Sequence, residues 1–212
     1  MPVTIDELRV ADEPQSWAAL GFEIDDDVCV LGSVRIRLLS SPGGKGLVAW
    51  SLRGIASADL DGLPTSSSVR PPPSSGSTHA NGVVGLDHVV AITPSLERTV
   101  AALEAAGLDL RRIRDEPTPA GAPRQAFFRL GAEILEVVQE PVEVAEREGT
   151  DRPAFFWGLA LITPELGETV ARLGDHVGEI RPAVQPGRSI ATLRRSAGLS
   201  LPIALMTPAS RA

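Results

Sequence analysis

The feature that most constrains the fold is an internal repeat in the second half of the chain. The segment ITPSLERTVAAL at 92–103 aligns without gaps with ITPELGETVARL at 162–173, and eight of the twelve positions are identical. An apolar stretch precedes each copy (LDHVVAI and FWGLALI), and a further apolar stretch closed by proline ends each one (ILEVVQEP and LPIALMTP). Similarity at a fixed offset is the signature of repeated structural units, so two modules of the same fold are expected.

The order of elements within a copy can be read from the residues. The Ile-Thr-Pro step ends a strand, because proline lacks a backbone donor and suits the first turn of a helix, with the threonine as the expected N-cap. Leu96, Val100 and Leu103 then recur at helical spacing, and Gly107 is a suitable helix end. The β-prone runs RRIRDE, RQAFFRL and EILEVVQ follow, separated by Pro/Gly turns. Each copy is therefore predicted to be a βαβββ module.

The remaining pieces are predicted from composition and order. Residues 1–60 are expected to be a partial βαβββ-like module, in which IDELRVA is a strand, EPQSWAALGF a helix, and VCVLGS, VRIRLLS and LVAWSLRGI strands. An unrelated small β-rich cap is the alternative, because this piece shares no clear identities with the repeat. Residues 61–83 are rich in Ser, Pro and Gly, which predicts a linker. The main domain is expected at 84–212, with modules at 84–141 and 153–212.

Charge and hydropathy exclude several classes of function. The net charge of -7 argues against nucleic acid as a partner, because no clustered basic face is available to neutralise phosphates. No apolar run approaches the length of a membrane helix, about 20 residues, and the start MPVTIDELRV does not have the pattern of a signal peptide. The single cysteine, Cys29, is expected to be a buried, inert thiol, which fits a reducing cytoplasm.

A tandem βαβββ repeat that opens with GLDHVVAITPSLERTVAALEAAGL and whose first copy ends with ILEVVQEP resembles the vicinal oxygen chelate superfamily. That superfamily includes glyoxalases, bleomycin-resistance proteins and extradiol dioxygenases, and the resemblance covers residues 84–212. It implies an α+β fold in which tandem βαβββ modules form a cleft, with the helices outside and the N-terminal piece as an extra βαβββ-like element. In the superfamily, the first and last strands of each module contribute ligands to a divalent metal in the cleft.

Carried onto this sequence, the resemblance places the first-strand ligand at His88 and the last-strand ligand at Glu136. An imidazole and a carboxylate suit Zn, Ni, Fe or Mn, so one divalent metal is the implied cofactor. In the second copy the matching positions are Gly158 and Ile203 or a neighbour, which supply no ligand side chain. Half of the metal site is thus expected. The alternative is that His88 and Glu136 are metal-independent polar groups that hydrogen-bond within the sheet or contact a ligand.

Further residues are candidates for binding a ligand in the expected cleft. Gln125 lies on the strand before Glu136, and its side-chain amide could coordinate the metal. Arg129 lies on a predicted strand, as do Arg124, Arg188 and Arg194, where it would either hold a ligand's carboxylate or phosphate or be a solvated strand edge. Trp157 adjoins the missing ligand position at Gly158, so it is expected to contact a ligand or to fill the space of the metal.

Two functions of different classes follow from these residues. The first is a metal-free binding protein or degenerate enzyme that holds a small molecule between the modules, as in the bleomycin-resistance branch. The alternative is a divalent-metal-dependent lyase, isomerase or dioxygenase-type enzyme, in which a metal at His88 and Glu136 polarises adjacent substrate oxygens and Glu136 acts in catalysis. Whether the chain is an enzyme stays open at this point. A homodimer formed through an exposed sheet edge of the N-terminal piece is compatible with either function.

Overall fold

The computed structural model of the chain describes residues 2–41, 44–74, 78–117 and 121–209. The chain divides into two compact units. One consists of Met1–Asp6, Ala49–Arg70 and His88–Trp157, and the other of Glu7–Val48, Pro71–Asp87 and Gly158–Ala212. Within the described ranges, no helix is long and apolar enough to cross a membrane.

The first copy of the repeat forms most of the first unit. Its elements are β6 (Gly85–Thr93), α2 (Leu96–Ala105), β7 (Asp109–Arg114), β8 (Gln125–Leu130) and β9 (Glu133–Gln139). The strands lie in the order β6–β9–β8–β7, with β6 parallel to β9 and the other pairs antiparallel. Helix α2 packs against β7, β8 and β9, and Leu103, Phe128 and Leu135 are fully buried on that side of the sheet. The predicted βαβββ order is confirmed.

The second copy has the same arrangement with shorter strands. Its elements are β10 (Phe155–Ile162), α4 (Leu166–Leu173), β11 (Arg181–Pro182), β12 (Ser189–Thr192) and β13 (Ile203–Met206). Their order is β10–β13–β12–β11, and β10 is again parallel to β13. Short 3-10 turns at Gly174–His176 and Arg195–Ala197 complete the module, and a short helix, α3 (Val142–Glu148), lies between the two copies. The tandem βαβββ fold of the α+β class is therefore present.

Buried threonines explain part of the identity between the copies. In the first copy Thr93 Oγ1 and Thr99 Oγ1 lie 2.7 Å apart, within hydrogen-bond distance, and Thr163 and Thr169 are joined through the same atoms at 2.7 Å in the second. All four side chains are fully buried, so each hydroxyl needs a partner. The expectation that the threonine caps the helix is wrong. The cap position before α2 is Ser95, whose N–H instead donates to Thr93 Oγ1 at 3.0 Å.

The N-terminal piece has the predicted order of elements but a different strand pairing. Its elements are β1 (Thr4–Val10), α1 (Pro14–Ala19), β2 (Val28–Leu31), β3 (Val34–Leu38) and β4 (Leu47–Arg53). In the second unit β3 is parallel to β1 and antiparallel to β2. In the repeat it is the last strand of the module that lies parallel to the first. Here β3 takes that place, so β1–α1–β2–β3 is a module that lacks one strand.

Strand β4 pairs with a further strand that lies inside the segment expected to be a linker. Residues 65–68 form β5 (Thr65–Ser68), which is parallel to β4. Four residues of the segment predicted as a Ser/Pro/Gly-rich linker, 61–83, thus lie in a strand. Their sequence TSSS has no apolar pattern, but Ser68 Oγ donates to the buried Asp6 carboxylate at 2.6 Å, so contacts distant in sequence hold this polar strand.

The segment around β4 and β5 packs within the first compact unit. The Asp61 carboxylate accepts from Arg98 Nε at 2.7 Å and from the Thr99 hydroxyl at 2.5 Å, both on α2. The rings of Trp50 and Phe156 meet edge to face with their centroids 5.1 Å apart. Because Trp50 is completely buried, this contact belongs to the interior of the first unit.

A buried histidine and the single cysteine lie together in the second unit. His79 is 4% exposed, although the sequence places it in the expected linker. Its Nδ1 accepts from the Glu23 N–H at 3.0 Å, so Nε2 carries the proton and donates to the Val30 carbonyl at 3.0 Å. Cys29 is fully buried, and burial raises the pKa of its thiol to about 12. The expectation that this thiol is buried is confirmed, and the raised pKa disfavours the reactive thiolate.

Candidate functional site

One face of the first module carries the polar side chains of interest. In the register of the sheet, Glu136 lies opposite Phe127 on β8 and Val90 on β6, while His88 lies opposite Ile134. Opposite residues share a face and side chains alternate along a strand, so these residues point away from α2. We call this side the open face. It consists of His88, Val90, Ile92, Asp109, Arg112, Arg114, Gln125, Phe127, Arg129, Ile134, Glu136 and Val138.

Three of these side chains form a hydrogen-bonded cluster. Gln125 Nε2 donates to Glu136 Oε1 at 2.5 Å, and His88 Nε2 lies 3.4 Å from Glu136 Oε2. The side chains of His88 and Glu136 are 15% and 16% exposed, and Gln125 is 6% exposed. Glu136 is thus the centre of the cluster, with one oxygen held by an amide and the other facing an imidazole. This preorders the carboxylate while both His88 and Glu136 keep access to solvent.

The second copy cannot reproduce this cluster. Gly158 corresponds to His88, and a Cβ atom built there would lie 2.6 Å from the carbonyl oxygen of Pro202. That distance is shorter than any ordinary carbon–oxygen contact, so the backbone closes this position to side chains. Val90 pairs with Glu136 in the first copy, and the matching pair in the second is Ala160 with Ala204. Ala204 therefore occupies the second carboxylate position, one residue beyond the expected Ile203.

The residues do not fit the superfamily's metal centre. That centre takes ligands from both modules, and here the two positions of the second module are Gly158 and Ala204. Across the part of the chain that the structure describes, no group of three or more His, Cys, Asp or Glu side chains could hold a metal ion. What is present is a pair, His88 and Glu136, with the amide of Gln125 beside it. A catalytic metal usually has three protein ligands, and the His88–Glu136 pair supplies two.

The other predicted ligand-binding residues have different surroundings. Arg129 is exposed on the open face, opposite Asp109. Trp157 is 48% exposed on β10, so it does not fill a closed space left by a metal. Arg188 is buried and paired with Asp87 at 2.5 Å, which assigns it to the structure of the second unit. The structure thus brings together His88, Glu136 and Gln125, while their roles in binding stay predictions.

Two arginines of the open face were not predicted from the sequence. Arg112 and Arg114 lie on β7 opposite Phe127 and Gln125. They alternate in the run RRIRDE, which could have indicated a common face. The pairing of β7 with β8 is irregular between Leu110 and Arg112, however, so Arg111 has no partner in the register and the alternation of faces is interrupted there. The face that each arginine occupies could therefore be read only from the register.

The fold is a pair of tandem βαβββ modules, and the first module carries the ordered cluster of His88, Gln125 and Glu136. In comparisons of sequence, no family model and no curated protein matches the chain. Comparison of structures gives similarity to a methylmalonyl-CoA epimerase from Mycobacterium tuberculosis, at 18% identity and a TM-score of 0.50, covering 63% of this chain and 93% of that one. A methylmalonyl-CoA epimerase from Streptomyces coelicolor in complex with 2-nitronate-propionyl-CoA is 20% identical, with a TM-score of 0.48, covering 60% and 96%.

A longer match includes the N-terminal piece. A xylose isomerase-like TIM barrel/4-hydroxyphenylpyruvate dioxygenase fusion protein matches 99% of this chain and 49% of its own length, at 14% identity and a TM-score of 0.58. This chain spans about half the length of that fusion protein. At these identities the likeness describes the fold alone. It extends the likeness to nearly the whole chain, beyond the two repeated modules.

Proposed function

We propose that this chain binds a small organic molecule on the open face of its first module, through His88, Gln125 and Glu136, without needing a bound metal. The observation that carries the proposal is the contrast between the two copies. The first keeps an ordered polar cluster with access to solvent. In the second, the equivalent position is closed by the carbonyl of Pro202.

The chemistry of the cluster supports a ligand with polar groups. The Glu136 carboxylate accepts hydrogen bonds, and the His88 imidazole both accepts and donates through its two nitrogens. Half-buried Phe127 and Ile134 provide apolar surface beside them. Small-molecule sites typically combine apolar lining with a few convergent polar groups, and this face offers both kinds of group. A proton could also move between a bound ligand and Glu136, which is why enzymatic activity stays within the proposal as an alternative.

A metal-dependent enzyme is the second candidate, favoured by the placement of His88 beside Glu136. Their 3.4 Å separation and partial exposure would give a divalent Zn, Ni, Fe or Mn ion two protein ligands. The remaining positions would then be filled by water, substrate or the Gln125 amide. The cluster alone supplies the polar contacts of the first proposal, whereas this one needs ligands that the second module does not have.

The two candidates are separated by the melting temperature of metal-stripped protein. A ligand that binds only the folded state stabilises it by mass action, by about 2.7 kcal/mol at a hundredfold excess over Kd. We expect no stabilisation by Zn, Ni, Mn, Fe(II) or Co that is lost in Glu136→Ala. A metal-induced rise in melting temperature that Glu136→Ala abolishes would contradict the metal-free proposal and establish the second candidate.

Binding itself is tested by ligand-observed NMR on chelator-treated protein. The probes are a mixture of small organic acids, alcohols, amines and amides, screened against the parent, His88→Ala and Glu136→Gln. Exposed Glu143→Gln on α3 is the matched control for the loss of one negative charge. We expect signals that disappear in His88→Ala and Glu136→Gln and persist in Glu143→Gln. Signals that survive in all variants would place binding elsewhere on the chain.

A further inference from the structure

The open face has a positive side that the proposed function does not use. Arg112 lies directly across from Phe127, which lies across from Glu136, and Arg114 lies across from Gln125. Neighbouring strands are about 4.8 Å apart, so β7 is roughly 10 Å from β9. An anion held at β7 therefore lies clear of the Glu136 carboxylate. The surface thus has a cationic edge on β7 and an acid–imidazole pair on β9 and β6.

Of the arginines on this face, Arg112 is the one suited to a free anion. Arg129 lies opposite Asp109 in the register of the sheet, and the Asp109 carboxylate contacts Arg111 at 3.3 Å. The positive charge of Arg129 is thus partly offset by its neighbour. Arg112 is exposed, and its cross-strand neighbour is the aromatic ring of Phe127. A guanidinium in this setting can take a carboxylate in two parallel hydrogen bonds.

Near Arg112, two buried polar atoms have no hydrogen-bond partner among the described residues. Gln125 is only 6% exposed, and its Oε1 accepts no hydrogen bond from any residue that the structure describes. The Nε of Arg114 is likewise buried, and among the same residues it finds no acceptor. Arg114 Nη2 does contact Glu116 at 3.4 Å, but that carboxylate is 78% exposed and leaves Nε unpaired. The two atoms belong to residues directly opposite each other in the sheet.

These two atoms together require a group that both donates and accepts a hydrogen bond. Arg114 Nε–H requires an acceptor and Gln125 Oε1 requires a donor. A hydroxyl group is both, because its oxygen has lone pairs and its hydrogen can donate. A buried polar group without a partner is costly, so a hydroxyl placed between them gains two hydrogen bonds that neither atom makes within the chain. A carboxylate alone could satisfy Arg114 Nε but not Gln125 Oε1.

We infer that the ligand of the open face is a small hydroxy-carboxylate, whose hydroxyl lies between Arg114 Nε and Gln125 Oε1 and whose carboxylate binds Arg112. The inference rests on the proposed function, since it names the class of molecule bound at the same face. An apolar substituent on such a ligand packs on Phe127, between the arginines and the His88–Glu136 pair. The carbon that carries the hydroxyl then lies next to Gln125, which is the residue that holds Glu136.

The test compares three probes that differ by one group each. Chelator-treated full-length protein is titrated by NMR with mandelate, phenylacetate and 1-phenyl-1,2-ethanediol, which carry both groups, only the carboxylate, and only hydroxyls. We expect mandelate to bind about tenfold or more tightly than either analogue, because each loses a hydrogen bond to a charged group. Raising the salt concentration should weaken mandelate and phenylacetate but not the diol.

Variants assign the two groups to their residues. Arg112→Gln should remove the advantage of mandelate over the diol, and Arg114→Lys should remove its advantage over phenylacetate, since lysine keeps the charge but has no Nε–H in that position. Arg111→Gln is the matched control, because it makes the same charge change on the same strand, at an exposed residue paired with Asp109. Far-ultraviolet circular dichroism of each variant verifies that the fold is retained.

Two outcomes would overturn the inference. One is equal affinity for mandelate and either analogue, or no binding of all three. The other is an effect of Arg112→Gln or Arg114→Lys no larger than that of Arg111→Gln. The proposed function is judged separately, by whether any probe of the wider mixture loses its signal in His88→Ala and Glu136→Gln. A chain can thus fail the hydroxy-carboxylate test and still bind a molecule of another class at this face.

Discussion

Gly158 shows how one residue decides whether a module can have a ligand position. A Cβ atom at this residue would lie 2.6 Å from the Pro202 carbonyl oxygen and 3.3 Å from its Cβ. Gly158→Ala is therefore expected to lower the free energy of unfolding by about 1–3 kcal/mol, as overpacking does in other interiors. Urea unfolding followed by circular dichroism measures this loss.

The control for this prediction is a second glycine in the same unit. A Cβ atom at Gly167, in α4, meets no other atom within 4 Å. Gly167→Ala should leave the stability unchanged or raise it by up to about 1 kcal/mol, because alanine favours the helix. If Gly158→Ala were as stable as the parent, the second module could accommodate a side chain there, and the contrast between the copies would lose its physical basis.

His79 should make the stability depend on pH. Burial lowers its pKa from the ordinary value of 6.5, because the charged imidazolium is poorly solvated. The unfolded chain then binds the proton more tightly than the folded one. Stability is complete above pH 6.5 and falls as the pH is lowered towards the folded-state pKa, with a slope of at most about 1.4 kcal/mol per pH unit for one proton.

Unfolding free energies between pH 7.5 and 5 should therefore decrease in the parent and decrease less in His79→Gln. His176→Gln, a change at an exposed histidine, is the control and should keep the parent's slope. Protonation would also remove the acceptor for the Glu23 N–H, which has a 3.0 Å bond to Nδ1. Equal slopes in the parent and His79→Gln would mean that another group causes the loss at low pH.

The residues of the site differ in how far their placement was predictable. His88 and Glu136 could be proposed from the resemblance, and strand alternation then places Gln125 on the same face once the register is known. Arg112 and Arg114 could not, because the irregularity in β7 interrupts the alternation and no local residue signals it. The closure of Gly158 depends on Pro202, 44 positions away in the chain (202 − 158), so no motif near Gly158 could reveal it.

At the level of elements, the two copies form a matched pair for measuring what the half-buried Asp61 carboxylate contributes to stability. The Thr99 hydroxyl donates its one hydrogen to Asp61 and also lies 2.7 Å from Thr93 Oγ1, whereas Thr169 has only its contact with Thr163 among these groups. Thr99→Val leaves Asp61 with one donor fewer and should cost about 1–3 kcal/mol of unfolding free energy, against about 0.5–1.5 kcal/mol for Thr169→Val. The difference between the two variants reports the contribution of Asp61 to the start of α2.

Thermal unfolding of both variants in one buffer gives this comparison, and Thr99→Ser is its control, because serine keeps the hydroxyl. Thr99→Ser should lose less than Thr99→Val. If Thr99→Val and Thr169→Val were equally destabilised, the Asp61 contact would contribute nothing measurable, and the attachment of residues 49–70 would depend on its apolar contacts, such as Trp50 with Phe156.

The elements also show where sequence patterns stop being informative. The repeated strands and helices follow from apolar spacing and from the Ile-Thr-Pro step, and the structure has them in that order. Strand β5 has the sequence TSSS, which predicts a loop, and it forms because Trp50–Arg53 offers a parallel partner. The parallel pairing of β3 with β1 was equally out of reach, since the sequence gives the order of strands but not their neighbours in a sheet.

For the whole molecule, the open question is whether residues 84–212 form a domain of their own, as the sequence predicts. The first compact unit takes residues from both sides of that boundary, because Ala49–Arg70 belongs to it together with His88–Trp157. Removing residues 1–83 would leave Arg98 and Thr99 without the Asp61 carboxylate and would expose the side of Phe156 that Trp50 covers.

A fragment of residues 84–212 should therefore unfold at a lower urea concentration than the full chain, with a less cooperative transition, because a partly exposed core loses both burial and buried hydrogen bonds. Adding a separately produced fragment of residues 1–83 should restore stability, since the missing contacts are non-covalent. Asp61→Ala in the added fragment is the control and should restore less. If 84–212 alone unfolded like the full chain, the boundary predicted from the sequence would be correct, and the contacts of Asp61 and Trp50 would join a domain that is already complete.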